Sequence, residues 1–328
     1  MIKGTNGKLI FSGMNNKILS NRICKSIGCE LGRSETEVFP DGEMIVRIDD
    51  DVRGRDCYII DSTFRPVNDN LMELLIYIDC LKRASAKQIV AVLPYFGYGR
   101  QDRKDKGRTP ITAKLVANQI AAAGADRVLT IDLHAAQIQG FFDIPVDHLH
   151  ASQVFNKYFK SIREELGDLC LVSPDVGNVK VAESYANELD ADIVIINKRR
   201  KSGSQVEMGQ IIGDVNGKNI LMVDDMISTA GTVEKAARLV MDNGAKSVRV
   251  AATHALFVDP AIERLSDPIF TQVISTDTIP AGNRTDVVEH LGSKYTELSV
   301  ADLLGQSIVR IHEERSISEL FKDGAWAR

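Results

Sequence analysis

The sequence has little that would mark a membrane, secreted or nucleic-acid-coating protein. In its 328 residues no stretch approaches the roughly 18 consecutive apolar residues of a membrane span, and the opening MIKGTNGKLIFSG lacks the apolar core of a secretory signal. A cytoplasmic protein without membrane contact is therefore expected. Basic charge is not in excess, with 40 Lys and Arg against 45 Asp and Glu, which argues against nucleic acid as the main partner while leaving room for a local basic site. Cysteines are few, odd in number and scattered (Cys24, Cys29, Cys57, Cys80, Cys170), and none are spaced as a zinc site or a redox dithiol. They read as reduced, mostly buried thiols, with Cys24 and Cys29, the one close pair, read as packing. There is also no G-x-x-x-x-G-K-[ST], so a nucleotide would not be held by a P-loop. What remains is an ordinary globular composition, 44% hydrophobic, in a chain about twice the length of a typical ~150-residue domain.

Apolar, β-branched runs alternate with helical patterns: CYIIDS (57–62), LMELLIYIDCLKRA (71–84), IVAVLPY (89–95), TAKLVANQIAAAGA (112–125) and RVLTIDLH (127–134). The rhythm restarts at LCLVSPD (169–175) and runs to SVRVAATHALF (247–257). This is the signature of an α/β protein with mostly parallel sheets flanked by helices. Gly124 and Gly244 stand where a helix end favours positive φ. An offset of 120 residues superposes Thr109 on Thr229, Thr112 on Thr232, Gly124 on Gly244 and His134 on His254, which predicts an internal duplication and two similar domains. The expected boundaries are 1–150 and 151–304; SVADLLGQSIVRIHEERSISELF (299–321) reads as an amphipathic helix plus a short tail that could pack back on either half, with 305–322 a candidate to join the first domain.

The sharpest candidate site is LMVDDMISTAGTVEKA (221–236), where an apolar strand ends in Asp224 and Asp225 and the small residues Ser228, Thr229, Ala230, Gly231 and Thr232 lead into a helix. Small residues let backbone N–H groups and hydroxyls converge on a phosphate at the positive helix end, and carboxylates at the strand tip accept hydrogen bonds from sugar hydroxyls. A phosphate beside a diol suggests a ribose phosphate. A helix capped by Ser or Thr after a buried strand is the plainer alternative. Arg100 to Arg108 places five cations in nine residues directly after the strand 89–95, which suits a polyphosphate, although such a run also serves as a solvated loop. Asp132 and His134, read as alternate residues of one strand, would face the same side and share a divalent cation or its waters, whereas His254, lacking the matching Asp, reads as a core histidine. In the first repeat Pro110 removes an N–H that a phosphate cradle needs. Lys198 and Arg200 open a polar stretch, KRRKSGSQVEMG, read as a mobile cationic loop able to stabilise charge in phosphoryl transfer.

VDDMISTAGT resembles the ribose 5-phosphate signature shared by phosphoribosyltransferases and ribose-phosphate pyrophosphokinases. FPDGE (39–43), PVNDNLMELL (66–75), PYFGYGRQDRK (94–104), DLHAAQIQGFFDIPVDHL (132–149), SPDVG (173–177) and NKRR (197–200) resemble the pyrophosphokinases in order and spacing along nearly the whole chain. The resemblance implies two tandem phosphoribosyltransferase-like domains and transfer of the β,γ-diphosphoryl group of ATP to ribose 5-phosphate, yielding phosphoribosyl diphosphate and AMP for nucleotide biosynthesis. It further implies that Arg100 and Gln101 contact ATP and that the turn Asp41, Gly42, Glu43, with Phe39, holds the adenine side. His134 and Asp175 would handle Mg²⁺, and Lys198 with Arg200 would act in catalysis. A homo-oligomer built from dimers, such as a hexamer, is expected, because this turn often reaches a neighbouring subunit in the family. Asp143 and Asp147 are weaker metal candidates that equally suit capping of backbone groups.

The sequence departs from the family pattern at Ser228, where a second Asp is frequent, at Asn178, where Gly is frequent, and in STDTIP (275–280). A phosphoribosyltransferase would account for 221–232 alone. A catalytically silent partner of active relatives would not need Lys198, Arg200, Asp224, Asp225 and His134 together.

Overall fold

The computed structural model describes residues 7–174, 176–200, 206–280 and 285–321. The chain divides into two compact units. The first contains the strands β1 (Lys8–Ser12), β2 (Ser34–Val38), β3 (Met44–Ile48), β4 (Asp56–Ile60), β5 (Gln88–Leu93), β6 (Arg127–Ile131) and β7 (Val146–Leu149), with helices α1 (Lys17–Ser26), α2 (Val67–Arg83) and α3 (Thr112–Ala123). A parallel sheet ordered β1-β4-β5-β6-β7 forms its centre, and β2 and β3 pair separately as an antiparallel hairpin. All five residues of β4 are buried, as are five of the six in β5, because a central parallel strand is covered on both faces.

The second unit begins at Ser152 and carries α4 (Ser152–Ser161), α5 (Arg163–Leu166), β8 (Leu169–Ser173), α6 (Val179–Leu189), β9 (Asp192–Arg200), β10 (Val206–Ile212), β11 (Asn219–Ile227), α7 (Gly231–Asp242), β12 (Ser247–Ala255), α8 (Ala261–Ser266), β13 (Phe270–Thr276), α9 (Thr285–Leu291) and β14 (Tyr295–Leu298). Its sheet is ordered β10-β9-β8-β11-β12-β13-β14, parallel except for the β9–β10 pair. From Ser299 the chain belongs to the first unit, as does the short piece Thr278–Pro280. There α10 (Ala301–His312) packs on α1, burying Leu304 and Ile308 completely, each such side chain contributing about 1.5–3 kcal/mol. His312 Nδ1 pairs with Asp56 at 2.7 Å and fixes the end of that helix.

The β5-α3-β6 and β11-α7-β12 segments show how far the two units repeat each other. In both, the helix ends on a glycine of positive φ (Gly124 at 122°, Gly244 at 90°), and the next alanine donates back to the helix, Ala125 to Ile120 at 3.3 Å and Ala245 to Val240 at 3.0 Å. The sheets differ at one end: the first strand in sequence lies at the edge in the first unit (β1 beside β4) and inside in the second (β8 between β9 and β11). Strand lengths differ as well. β12 runs to Ala255 and keeps His254 in the sheet, 1% exposed, opposite Met226. β6, expected to reach His134, stops at Ile131, because Asp132 turns to φ 39°.

Beneath the C-terminal ends of β1 and β4 lies a buried acidic pair. Asp61 and Glu73 are both 0% exposed. Glu73 accepts N–H from Met14 at 3.1 and 3.2 Å and O–H from Thr36 at 2.8 Å, whereas Asp61 Oδ1 accepts one bond from Asn16 at 3.1 Å. Asp61 Oδ2 and Asn16 Oδ1 are both buried without a partner. Burial, then the charge of Glu73, pushes the Asp61 carboxyl well above the usual carboxylate range. Burial raises the Glu73 carboxyl as well, against the bonds from Thr36 and Met14, so Asp61, with fewer donors, is the acid that holds the proton.

Candidate active site

The candidate segment 221–236 of the second unit folds as a strand, a tight turn and a helix. β11 extends past the two acids to Ile227, so Asp224 and Asp225, both half-buried, lie within its last turn of ladder rather than after it. The turn is fixed from outside by Phe257 N–H to Ile227 O at 3.1 Å and Val258 N–H to Ser228 O at 2.9 Å. α7 starts at Gly231. Its N-cap is Ala230, held at φ 58° with no side-chain capping bond, so the alternative of a Ser- or Thr-capped helix is not what forms. First-turn N–H groups at an end without a capping oxygen, with the positive end of the helix dipole behind them, favour an anion.

Two further residues act on this loop that sequence reasoning did not place there. Arg264 Nη1 donates to Thr229 O at 2.8 Å while its Nε pairs with Glu234 at 3.0 Å, which locks the Thr229 peptide in one orientation. Asn178, noted in the sequence only as a departure, donates through Nδ2 to Val223 O at 2.8 Å and to Asp224 Oδ1 at 3.4 Å. Asp224 Oδ1 also accepts the N–H of Asp225 at 2.9 Å, so this oxygen is oriented by its own strand. The turn Val176–Asn178 reaches Asp224 because β8 and β11 are neighbours in the sheet.

In the first unit Arg100 and Gln101 are exposed on the segment after β5. Gln101 Oε1 accepts the Thr112 hydroxyl at 2.5 Å at the start of α3, so its side chain is partly engaged in holding its own loop. The segment is seated by Gly97, whose N–H reaches Thr63 Oγ1 at 2.6 Å and where a Cβ would lie 2.2 Å from Thr63 O. Asp41 and Glu43 form the tip of the β2–β3 hairpin, closed by Phe39 N–H to Glu43 O at 2.7 Å and Glu43 N–H to Asp41 Oδ1 at 3.1 Å. Phe39, Val38 and Ile45 are 38%, 51% and 49% exposed, an apolar surface at the hairpin.

Asp132 is placed otherwise than its expected strand position implies. With β6 ended, its Oδ1 meets His150 Nδ1 at 3.0 Å and its Oδ2 accepts Ala151 N–H at 3.1 Å. His148 Nε2 accepts the Leu133 N–H at 2.9 Å, and Asp132, His148 and His150 bring ligand-type atoms within 4.8 Å of one another. His134 itself is exposed, two residues on from Asp132. Asp147 pairs with Arg127 at 2.8 Å and Asp143, largely exposed, with Lys114 at 3.6 Å. Asp175 lies outside the described residues. For Lys198 and Arg200 the backbone is described and the side chains are not: the segment expected as loop continues β9, with Lys198 opposite Met208 and Arg200 opposite Val206 of β10. Residues 201–205 between these strands lie outside the described set. No helix among the described residues is long and apolar enough to cross a membrane.

Comparison with known proteins gives two family matches: the N-terminal domain of ribose phosphate pyrophosphokinase over residues 8–124, and the phosphoribosyl synthetase-associated domain over 207–322. A ribose-phosphate pyrophosphokinase of Rhodopirellula baltica is 52% identical over 315 residues, covering 96% of this chain and 98% of the relative. One from Caldanaerobacter subterraneus is 50% identical over 322 residues, covering 98% of this chain and the whole of the relative. The crystal structure of phosphoribosylpyrophosphate synthetase from Mycobacterium smegmatis superposes with a TM-score of 0.86 at 40% identity, over 94% of this chain and all of that one.

Proposed function

The chain belongs to the ribose-phosphate pyrophosphokinase family, and on that premise we propose that it transfers the β,γ-diphosphoryl group of ATP to the 1-hydroxyl of ribose 5-phosphate, giving 5-phospho-α-D-ribose 1-diphosphate and AMP. The observation that carries the reading is the start of α7: an N-cap without a side-chain capping bond, five residues after a pair of carboxylates at the end of β11. A phosphate on the loop Ser228, Thr229, Ala230, Gly231, Thr232 leaves the ribose hydroxyls to Asp224 and Asp225. The second unit is thus the ribose 5-phosphate side, and the first, with Arg100, Gln101, Phe39, Asp41 and Glu43, the ATP side.

Attack of the anomeric oxygen on the β-phosphorus builds negative charge on the bridge to the departing AMP. Lys198, with Arg200 beside it, is assigned to that charge, a role that requires proximity and positive charge rather than proton transfer. The divalent-cation side is assigned to His134, Asp175 and Asp132. The described donors fit in part: Asp132 already uses one lone pair of each oxygen on His150 and Ala151, so it suits a contact through the ion's waters, while His134 is exposed to solvent. Mg²⁺, when bound, supplies neutralisation of the diphosphoryl oxygens. A cytoplasmic, dimer-based oligomer such as a hexamer completes the reading, supported by the apolar hairpin surface at Val38, Phe39 and Ile45.

The test is ³¹P NMR of the chain with ATP, Mg²⁺ and ribose 5-phosphate. Equimolar AMP and a sugar-linked diphosphate are expected. Formation of ADP would make the chain an ordinary kinase, and persistence of intact ATP would remove the activity.

A further inference from the structure

The last turn of α1 ends in a Schellman cap, and that cap determines which side chains meet. Gly28 adopts φ 68°; its N–H bonds Lys25 O at 3.4 Å, and the N–H of Cys29 reaches back to Cys24 O at 2.9 Å. These are the 5→2 and 6→1 bonds of the motif, and the motif brings the residue after the glycine against the one five positions earlier. Here both are cysteines, and both are free. Cys24 is 3% exposed and Cys29 is half-buried, so one sulfur is open to small reagents and the other stands behind it.

The two thiols are unequal in acidity as well as in access. The neighbouring Cys24 side chain lowers the Cys29 thiol to about 7, with Lys8 adding to the effect against burial, and Cys29 together with burial pushes Cys24 far up. The other three thiols shift the opposite way from Cys29 because they are desolvated: Cys57 to about 12, Cys170 to about 11, and Cys80 upward. Only Cys29 of the five combines partial access with a lowered pKa.

We propose that Cys24 and Cys29 form a reversible oxidation site that closes to a disulfide across the end of α1 when the oxidant is a peroxide. The Cys29 thiolate attacks one peroxide oxygen; the O–O bond breaks, the departing hydroxide takes a proton to become water, and Cys29 is left as a sulfenic acid. Cys24 sulfur then attacks the Cys29 sulfur, the S–O bond breaks, and the hydroxide leaves as water with the proton of Cys24. Two thiols are oxidised by two electrons in all, and hydrogen peroxide is reduced to two waters. The bridge ties the turn on which α10 rests: a Cβ at Gly305 would lie 2.5 Å from Ser26 Oγ and 2.8 Å from Ile27 Cγ2.

The test treats the full-length chain with limiting hydrogen peroxide, blocks free thiols and maps the products by mass spectrometry. A Cys24–Cys29 link with the loss of two hydrogens, reversed by dithiothreitol, is expected, as is a sulfenic acid trapped by dimedone at Cys29 in Cys24→Ser. On the untreated chain at pH 7, iodoacetamide should label Cys29 at least about ten-fold faster than Cys80. Cys29 labelling no faster than Cys80, or peroxide carrying Cys29 to the sulfinic acid while Cys24 stays a free thiol, would overturn the proposal.

Discussion

Replacing Asp61 by Asn should stabilise the protein, by an amount that grows with pH. The carboxyl is fully buried, has one donor from Asn16, and sits beside Glu73, which receives three contacts. A proton on Asp61 removes the charge from a carboxyl whose Oδ2 is buried without a donor. The unfolded chain has an ordinary carboxyl of pKa about 3.9, so keeping this one protonated in the fold costs about 1.4 kcal/mol for each pH unit above that value, until the raised folded pKa is reached. The sign follows: the folded state binds the proton more tightly, so the wild type loses stability as pH rises through this window, and the carboxamide, which has no proton to lose and can still accept from Asn16, does not. At pH 7 the difference is bounded at about 4 kcal/mol. Below about pH 4 it should vanish, since both side chains are then neutral in either state. Urea unfolding of the wild type and Asp61→Asn at pH 5, 6 and 7 measures this. A stability difference independent of pH, or a destabilised Asn variant throughout, would show that Asp61 is a partnered carboxylate and refute the reasoning.

Other substitutions test the site. Lys198→Ala should lower kcat about 10³-fold with little change in KM, since the charge it meets develops in the transition state; a loss under about ten-fold would remove Lys198 from the chemistry. Asp224→Asn should raise KM for ribose 5-phosphate about 10- to 100-fold while leaving KM for ATP within about two-fold, read from initial rates with each substrate varied. Asn178→Asp sets a second carboxylate against Asp224 Oδ1 in place of a donor, and should raise the same KM while Asn178→Gly does so less. Gly97→Ala drives a Cβ to 2.2 Å from the Thr63 carbonyl, a backbone contact that cannot move aside, and should cost about 3 kcal/mol, seen as a lowered melting temperature.

Much of this protein was legible without coordinates wherever the rule involved is local. The apolar runs 89–95 and 112–125 fold as β5 and α3, and the run 219–225 enters β11, because strand and helix periodicities are set within a few residues. Gly124 and Gly244 adopt positive φ for the same reason. The Schellman contact of Cys24 with Cys29 was available in principle too: a helical pattern, a glycine and a cysteine on either side of it at the motif's spacing are all in the sequence. Where the prediction depended on how far an element runs, it slipped. β6 ends three residues short of His134, and the polar segment after Asn197 is strand on both sides of residues 201–205, since ladder partners, which the sequence does not display, decide strand ends.

The sequence by itself determined the alternation of strands and helices, the small-residue turn before α7 and the kinship of nearly the whole chain with the pyrophosphokinases, because each of these resides in consecutive residues. Only the tertiary structure decided which groups those residues meet. Asp132 is held by His150 and Ala151 because β7 lies beside β6, with Leu149 opposite Ile131. Asn178 reaches Asp224 across 46 positions because β8 lies beside β11. Asp61 and Glu73 become one buried pair because α2 packs on the sheet that contains β4. Hydrogen bonds and charge act over a few ångströms in space, and a linear sequence does not record that distance.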